Sequence, residues 1–317
     1  MRISVIGCGR WGSFLAWYLD SIGHSVTLYG REGSSKLAAL KQSGTNGLVS
    51  LNSRIMLTSD LSRALESEIL VISIGAQSFR SLMRGLSSCN LEGKTAVLCM
   101  KGLEAGTGKR LTEIFEEYRP EMPVAIWVGP GHVQDFTRGI PNCMVIDSRS
   151  MQVKKNLVEM FSSELIRFYY GDDLLGNEIG AASKNVIGIA AGMLDGLNKT
   201  ALKGALMSRG TREIARLIRK MGGKEITAYG LAHLGDYEAT VFSPYSHNRR
   251  FGELFVRGED YGELAEGVET TKAMLVLGKR YGEELPISDA VNRVINKGEE
   301  PNRVLSELFL RSIKMEF

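Results

Sequence analysis

Six residues, Gly7-Cys8-Gly9-Arg10-Trp11-Gly12, restrict the architecture of this chain more than any other segment. They stand directly between a β-branched apolar run, Ile3–Ile6, and an amphipathic stretch, Trp11–Ile22. In a GxGxxG that closes a strand and opens a helix, the first glycine turns the chain tightly. The second lets the backbone approach a pyrophosphate, and the third lets helix pack on strand. The N–H groups and positive dipole end of such a helix then face the phosphates. Gly7, Gly9 and Gly12, with Arg10 and Trp11 between them, are therefore candidates for dinucleotide binding. Glycine is abundant overall, 36 of 317 residues or about 11%, against a usual ~7%. It is enriched where backbone turns tightly or approaches a ligand.

The first half of the chain continues as that motif predicts. Ile3–Ile6, Ser25–Tyr29, Ile69–Ile74, Thr95–Cys99, Val124–Val128, Met144–Ile146 and Ile166–Tyr170 read as strands. They alternate with amphipathic stretches near Trp11–Ile22, Ser35–Gln42, Leu61–Glu66, Phe79–Leu86, Gly108–Tyr118 and Met151–Ser163. Strands that are apolar throughout and alternate with helices predict a parallel sheet covered on both faces. Beyond Gly171 the texture is helical: Leu174–Met193, Thr200–Met221, Tyr261–Tyr281, Ile287–Asn296 and Arg303–Ile313. Pro286 and Pro301 precede the last two, where proline suits a helix start. The fold expected is α/β, with a Rossmann-type parallel-sheet domain over residues 1–172 and an all-α domain over 173–317.

Charge and cysteine content exclude several classes. The 39 basic and 36 acidic residues nearly cancel, whereas a dedicated nucleic-acid binder carries a strong basic excess. Cys8, Cys89, Cys99 and Cys143 show neither CxxC spacing nor a histidine in ligand register, so neither a zinc site nor a disulfide framework is expected. The opening apolar run is too short for a signal peptide, and no stretch reaches the ~20 apolar residues of a membrane span. A cytoplasmic setting is the expectation.

Other segments carry candidate chemistry. The second strand ends at Tyr29-Gly30-Arg31-Glu32. An acidic residue at that tip holds the ribose hydroxyls of NAD, whereas an arginine accommodates the extra phosphate of NADP. Arg31 favours NADP and Glu32 leaves NAD open. Lys101-Gly102-Leu103 and Gly129-Pro130-Gly131 follow two further strands, and ligands in open α/β sheets lie beyond the carboxyl ends of strands. A lysine there can hold a carbonyl oxygen or phosphate, or simply be solvated. Lys184 sits amid small and apolar residues, where burial lowers a lysine pKa toward the range useful for proton transfer. The alternative is a lysine snorkelling from a packed helix. Gly230–Asp236 and Ser246-His247-Asn248-Arg249-Arg250-Phe251-Gly252 cluster glycine with polar donors. The second run suits phosphate, or is a polar interhelical loop.

Taken in order, these segments resemble the NAD(P)-dependent glycerol-3-phosphate dehydrogenases. The likeness runs through Gly7–Gly12, Lys101-Gly102-Leu103-Glu104, Val128-Gly129-Pro130, Gly180–Asn185 and Ile187–Gly192. It continues through Ser208-Arg209-Gly210, Gly230-Leu231 with Leu234-Gly235-Asp236, Ser246–Gly252 and Glu266-Gly267-Val268. The resemblance implies reversible hydride exchange between a nicotinamide cofactor, NADP or NAD, and dihydroxyacetone phosphate. The product, sn-glycerol 3-phosphate, is the backbone of glycerophospholipids. It further implies Lys184 as the catalytic lysine, Asp236 as its substrate-side partner, and Lys101 as facing both substrate and cofactor. Gly129 and Gly131 fall in the loop over the substrate, and Ser246, His247, Asn248 and Arg249 on the substrate-donor segment. Arg10, Trp11, Arg31, Lys101, Val133, His247, Leu264 and Glu266 fall on cofactor-contact positions. A homodimer is a mild expectation from the helical half.

The departures bear on substrate. Where the family has Ser-Arg-Asn, this chain has Ser246-His247-Asn248. Histidine, with an unperturbed pKa of ~6.5, is partly charged at neutral pH and forms no guanidinium fork. Either Arg249 substitutes, or phosphate binding is weaker and pH-dependent, or the substrate differs. Gly131-His132-Val133 replaces the more usual Ser-Phe-Ala, and Arg10 stands where a small hydroxyl residue is usual. Two rival readings remain at this stage: a related two-domain ketopantoate or hydroxyacid reductase, and a dinucleotide sensor without turnover.

Overall fold

The computed structural model describes residues 1–263 and 265–310. Eight strands form one sheet: β1 Arg2–Ile6, β2 Ser25–Tyr29, β3 Met56–Thr58, β4 Ile69–Ile72, β5 Thr95–Leu98, β6 Val124–Val128, β7 Asn142–Ser148 and β8 Ile166–Tyr170. Their spatial order is β3-β2-β1-β4-β5-β6-β7-β8. The order reverses direction at β1, which is flanked by β2 and β4, and this is where an open α/β sheet binds its ligand. The intervening helices are α1 Arg10–Ser21, α2 Ser35–Ser43, α3 Leu61–Ala64, α4 Phe79–Leu86, α5 Leu111–Tyr118, α6 Val133–Thr137 and α7 Met151–Phe161.

Two features of the sheet differ from expectation. The three-residue β3 is too short to show a hydrophobic period. The β6–β7 pair is antiparallel, with Trp127 opposite Ile146, while every other pair is parallel. The reason lies in the connection. Its only helix, α6, has five residues and advances roughly 8 Å, whereas β6 spans roughly 16 Å. No full-length crossover helix returns the chain to the start of β6, and β7 enters from the near end.

The sheet's core is aromatic on one face. Phe14 stacks on Phe136 with ring centroids 5.0 Å apart, and Trp127 meets Phe168 edge-on at 4.8 Å. Tyr18 is fully buried and donates its hydroxyl to the Phe161 carbonyl at 2.5 Å. Burial pushes that phenol up to about 12, so it stays neutral, donating to this carbonyl and accepting from the Ser163 hydroxyl at 2.8 Å.

Beyond the sheet come α8 Leu174–Gly196, α9 Lys203–Lys220, α10 His247–Val256, α11 Glu266–Tyr281, α12 Pro286–Ile295 and α13 Pro301–Phe309. Helix α10 replaces the loop reading of Ser246–Gly252. Ser246 is its N-cap, accepting the Arg249 N–H, a use of serine that also suits a loop in sequence. The helix expected from Tyr261 begins only at Glu266. The end expected at Ile313 lies outside the described residues.

The chain divides into two compact units. The first comprises Met1–Lys101 and Arg110–Glu178, the second Gly102–Lys109 and Ile179–Phe317. In the second unit α8 is mostly apolar and largely buried: Ile179, Val186, Ile187, Ile189, Met193 and Leu194 have no exposed surface. Glycines let other backbone approach it. A Cβ on Gly192 would lie 1.8 Å from the Arg249 carbonyl oxygen, and one on Gly252 would lie 2.1 Å from that of Ile189. Helices α8 and α10 thus touch backbone to backbone. Among the described residues, no helix is long and apolar enough to cross a membrane.

Candidate active site

In the first unit the glycine motif turns at the end of β1. Gly7 has φ +117°, and a Cβ there would sit 2.1 Å from the Ser73 carbonyl oxygen; a Cβ on Gly12 would sit 1.8 Å from the Gly7 carbonyl oxygen. Both glycines are demanded by the protein's own packing. Gly9 differs: a Cβ there meets nothing within 4 Å. The open space above Gly9 lies at the N-terminus of α1, which no side chain caps. Uncapped N–H groups over a glycine are what a pyrophosphate requires, so the residues present fit a dinucleotide. Arg10 and Arg31 are exposed at this end of the sheet, and Trp11 is half-buried with its ring 4.9 Å from that of Phe14.

The next two strand tips are tied together. Lys101 Nζ, after β5, donates to the Gly129 carbonyl, after β6, at 2.6 Å. Gly131, at φ +137°, has room for no Cβ because the Phe136 ring would lie 2.3 Å from it. Val133 opens α6 and is buried.

In the second unit Lys184 projects from α8. Its Nζ lies 3.0 Å from Asp236 Oδ2 and donates to Thr240 Oγ1 at 2.7 Å. Lys184 is 7% exposed and Asp236 1%. An isolated buried ammonium would carry a large desolvation penalty, which this carboxylate and hydroxyl offset. Thr240 in turn donates to the Asp236 main-chain carbonyl at 2.7 Å, so one hydroxyl bridges both residues. No motif in the sequence points to Thr240. The available signal was its spacing, one turn after Asp236, on a short π-helical segment Glu238–Phe242; π turns recur at functional sites.

Ser246, His247 and Asn248 open α10. His247 Nδ1 bonds the Tyr261 hydroxyl and lies 3.1 Å from Glu263 Oε2. Asn248 Oδ1 accepts the Gly267 N–H at 2.9 Å, which joins α10 to the start of α11 beside Glu266. Arg249 turns the other way. Its guanidinium lies 2.9 Å from Asp195 and 3.1 Å from Glu253, carboxylates that also pair with Lys203 and Arg257. Leu264 lies outside the described residues.

Both halves of the chain match one family. The model for the NAD-dependent glycerol-3-phosphate dehydrogenase N-terminus covers residues 2–154, and that for its C-terminus covers 173–306. The chain belongs to the NAD-dependent glycerol-3-phosphate dehydrogenase family. Relatives named glycerol-3-phosphate dehydrogenase [NAD(P)+] include one from Fusobacterium nucleatum, 35% identical over 100% of this chain and 98% of its own. Another, from a Thermotoga strain, is 36% identical over 100% and 99%. A crystal structure of glycerol-3-phosphate dehydrogenase from Coxiella burnetii aligns at a TM-score of 0.92, with 28% identity over 98% of this chain and 99% of its own. Membership of this oxidoreductase family carries dependence on NAD(P). The ketopantoate reductase from Ralstonia eutropha aligns at a TM-score of 0.62 with 14% identity, a likeness of fold alone.

Proposed function

We propose that this chain catalyses the reversible reduction of dihydroxyacetone phosphate to sn-glycerol 3-phosphate, with NADPH preferred over NADH. The observation that carries the reading is the buried Lys184 ammonium, held by Asp236 and Thr240 within a family whose members bear this name. When bound, the reduced nicotinamide supplies a hydride to the substrate's carbonyl carbon. Lys184 donates its proton to the carbonyl oxygen as negative charge develops there, and takes a proton back in the reverse direction. Asp236 and Thr240 fix the position of the ammonium.

The nucleotide half is assigned likewise. Gly7, Gly9 and Gly12 admit the pyrophosphate to the N-terminus of α1, with Arg10 and Trp11 beside it. Arg31 takes the 2′-phosphate of NADP, and Val133, Leu264 and Glu266 contact the cofactor. Lys101, Gly129 and Gly131 form the loops next to the substrate. Ser246 and Asn248 donate to the substrate. The substrate phosphate falls to the start of α10, at His247 and Arg249. We assign the protein to the cytoplasm as a homodimer, which sedimentation equilibrium tests.

The primary test follows the nicotinamide absorbance band with dihydroxyacetone phosphate, comparing NADPH with NADH and wild type with Lys184→Ala. Loss of a general acid lowers kcat by roughly 10²- to 10⁴-fold, with cofactor affinity retained. A folded, cofactor-binding wild type without turnover sinks the reaction. A Lys184→Ala variant within tenfold of wild type sinks the role of the lysine.

A further inference from the structure

Beside the Lys184–Asp236 pair lies a buried histidine that no step above uses. We infer that His233 is a positioning residue, whose neutral imidazole ties the turn of α8 carrying Lys184 to the turn carrying Asp236. The inference rests on the assignment of Lys184 as the proton donor.

The geometry fixes the tautomer. His233 Nδ1 lies 2.9 Å from the Gly180 carbonyl oxygen, which can only accept, so the proton is on Nδ1. Nε2 is then a lone pair, and it accepts the Tyr237 hydroxyl at 2.7 Å. The two rings meet edge-on with centroids 4.8 Å apart. His233 has no exposed surface, and burial pushes its pKa down to about 4. Its hydrogen bonds are therefore those of the neutral ring at physiological pH.

What the ring holds is specific. In an α-helix the carbonyl of residue i accepts the N–H of residue i+4, so the Gly180 carbonyl also receives the backbone N–H of Lys184. On the other side, the His233 carbonyl accepts the Asp236 N–H at 3.0 Å. One residue is thus hydrogen-bonded to the carbonyl that seats Lys184 and to the backbone of Asp236. Two glycines make room for it. A Cβ on Gly180 would come within 3.0 Å of the His233 Cβ, and one on Gly210 within 3.2 Å of the Tyr237 hydroxyl. Without the ring, the Asp236 turn loses its side-chain anchor on α8, and the 3.0 Å contact between Lys184 and Asp236 loses its support.

A structural histidine and a positioning histidine predict different kinetics. Removing the first lowers thermal stability but leaves kcat per folded molecule unchanged. Removing the second lowers kcat, leaves the Kd for NADPH alone, and is rescued by a side chain that restores the donor. His233→Leu keeps the volume without the donor; His233→Asn returns an N–H near the place of Nδ1. We expect kcat of His233→Leu to fall roughly 10- to 100-fold, the scale of an ångström-sized misplacement, and His233→Asn to recover most of it. The crystal structure of His233→Leu should show Lys184 Nζ beyond hydrogen-bond reach of Asp236. That distance decides the inference even if dihydroxyacetone phosphate is not turned over, an outcome that would count against the proposed reaction instead. If His233→Leu does not fold, Tyr237→Phe replaces it, because it deletes the donor that fixes the ring, and a lowered kcat is again expected. Unchanged kcat, a loss that asparagine does not restore, or a Lys184–Asp236 contact still at 3.0 Å each overturns it.

Discussion

Replacing Gly192 by alanine tests how the second unit is built and how it holds its site residues. Alanine favours a helix over glycine by about 1 kcal/mol, so helix propensity alone predicts a more stable protein. The structure predicts the reverse. The added Cβ would lie 1.8 Å from the Arg249 carbonyl oxygen, 2.7 Å from its carbonyl carbon and 2.8 Å from the Glu253 nitrogen. All three atoms are backbone of α10, so no rotamer change relieves them. A close carbon–oxygen contact is roughly 3.3 Å, which means α10 must withdraw by about 1.5 Å. Overpacking of this kind costs about 3 kcal/mol, the upper end of the usual range. Subtracting the gain in helix propensity leaves about 2 kcal/mol of destabilisation, or a melting temperature lower by roughly 4–8 °C. Because α10 begins with His247 and Asn248, its withdrawal also moves the proposed substrate donors, and KM for dihydroxyacetone phosphate should rise tenfold or more. Gly204→Ala is the control: this exposed glycine of α9 has open space around its Cβ position and should gain about 0.5–1 kcal/mol. Calorimetry and steady-state kinetics on the two variants suffice. A Gly192→Ala protein as stable and as active as wild type would refute the backbone contact between α8 and α10.

Gly9→Ala should leave the melting temperature unchanged, because its Cβ meets no protein atom, yet weaken NADPH at least tenfold in a fluorescence titration; unchanged affinity would remove the pyrophosphate from that space. Arg31→Ala should raise the KM for NADPH about tenfold while sparing NADH, and equal effects on both cofactors would refute its contact with the 2′-phosphate. Glu213 accepts the Ile287 and Ser288 N–H groups and the Ser288 hydroxyl at the start of α12, yet burial pushes its pKa up from 4.5 to about 7. The folded state therefore binds this proton more tightly than the unfolded chain. The stability it contributes is full below pH ~4.5 and lost as pH rises to about 7, by about 3 kcal/mol in all. His233 has the opposite slope, since its pKa is depressed from 6.5 to about 4 and stability is lost as pH falls through that window. Glu213→Gln removes the first slope, so urea midpoints measured between pH 4.5 and 7 should rise more steeply with pH than in wild type. Parallel curves would show that Glu213 titrates normally.

The nucleotide half was legible because its signals are local. Gly7–Gly12 needs only the strand before it and the helix after it, and periodicity supplied both. The order of the short motifs carried the family, and with it Lys184 and Asp236. Local periodicity could not show that β7 runs against β6, since strand direction is set by pairing across the sheet. Nor could it show that Ser246–Gly252 enters a helix, because a serine N-cap and a polar loop share a composition.

Other facts depend on contacts between residues distant in the chain. Lys184 and Thr240 are 56 positions apart, and only packing around α8 puts the hydroxyl on the ammonium. Arg249 reads as a phosphate ligand in sequence, yet in the fold it joins a charge cluster with Asp195, Glu253, Lys203 and Arg257. His233 lies in plain view within a glycine-rich run, but its role depends on a carbonyl of another helix. By itself the sequence determined most of the segments that become strands and helices and which chemical groups are present, because backbone propensity and hydrophobic period act over a few residues. Which of those groups meet was decided by the tertiary structure, because burial and hydrogen bonding act between segments that only the packed core brings together.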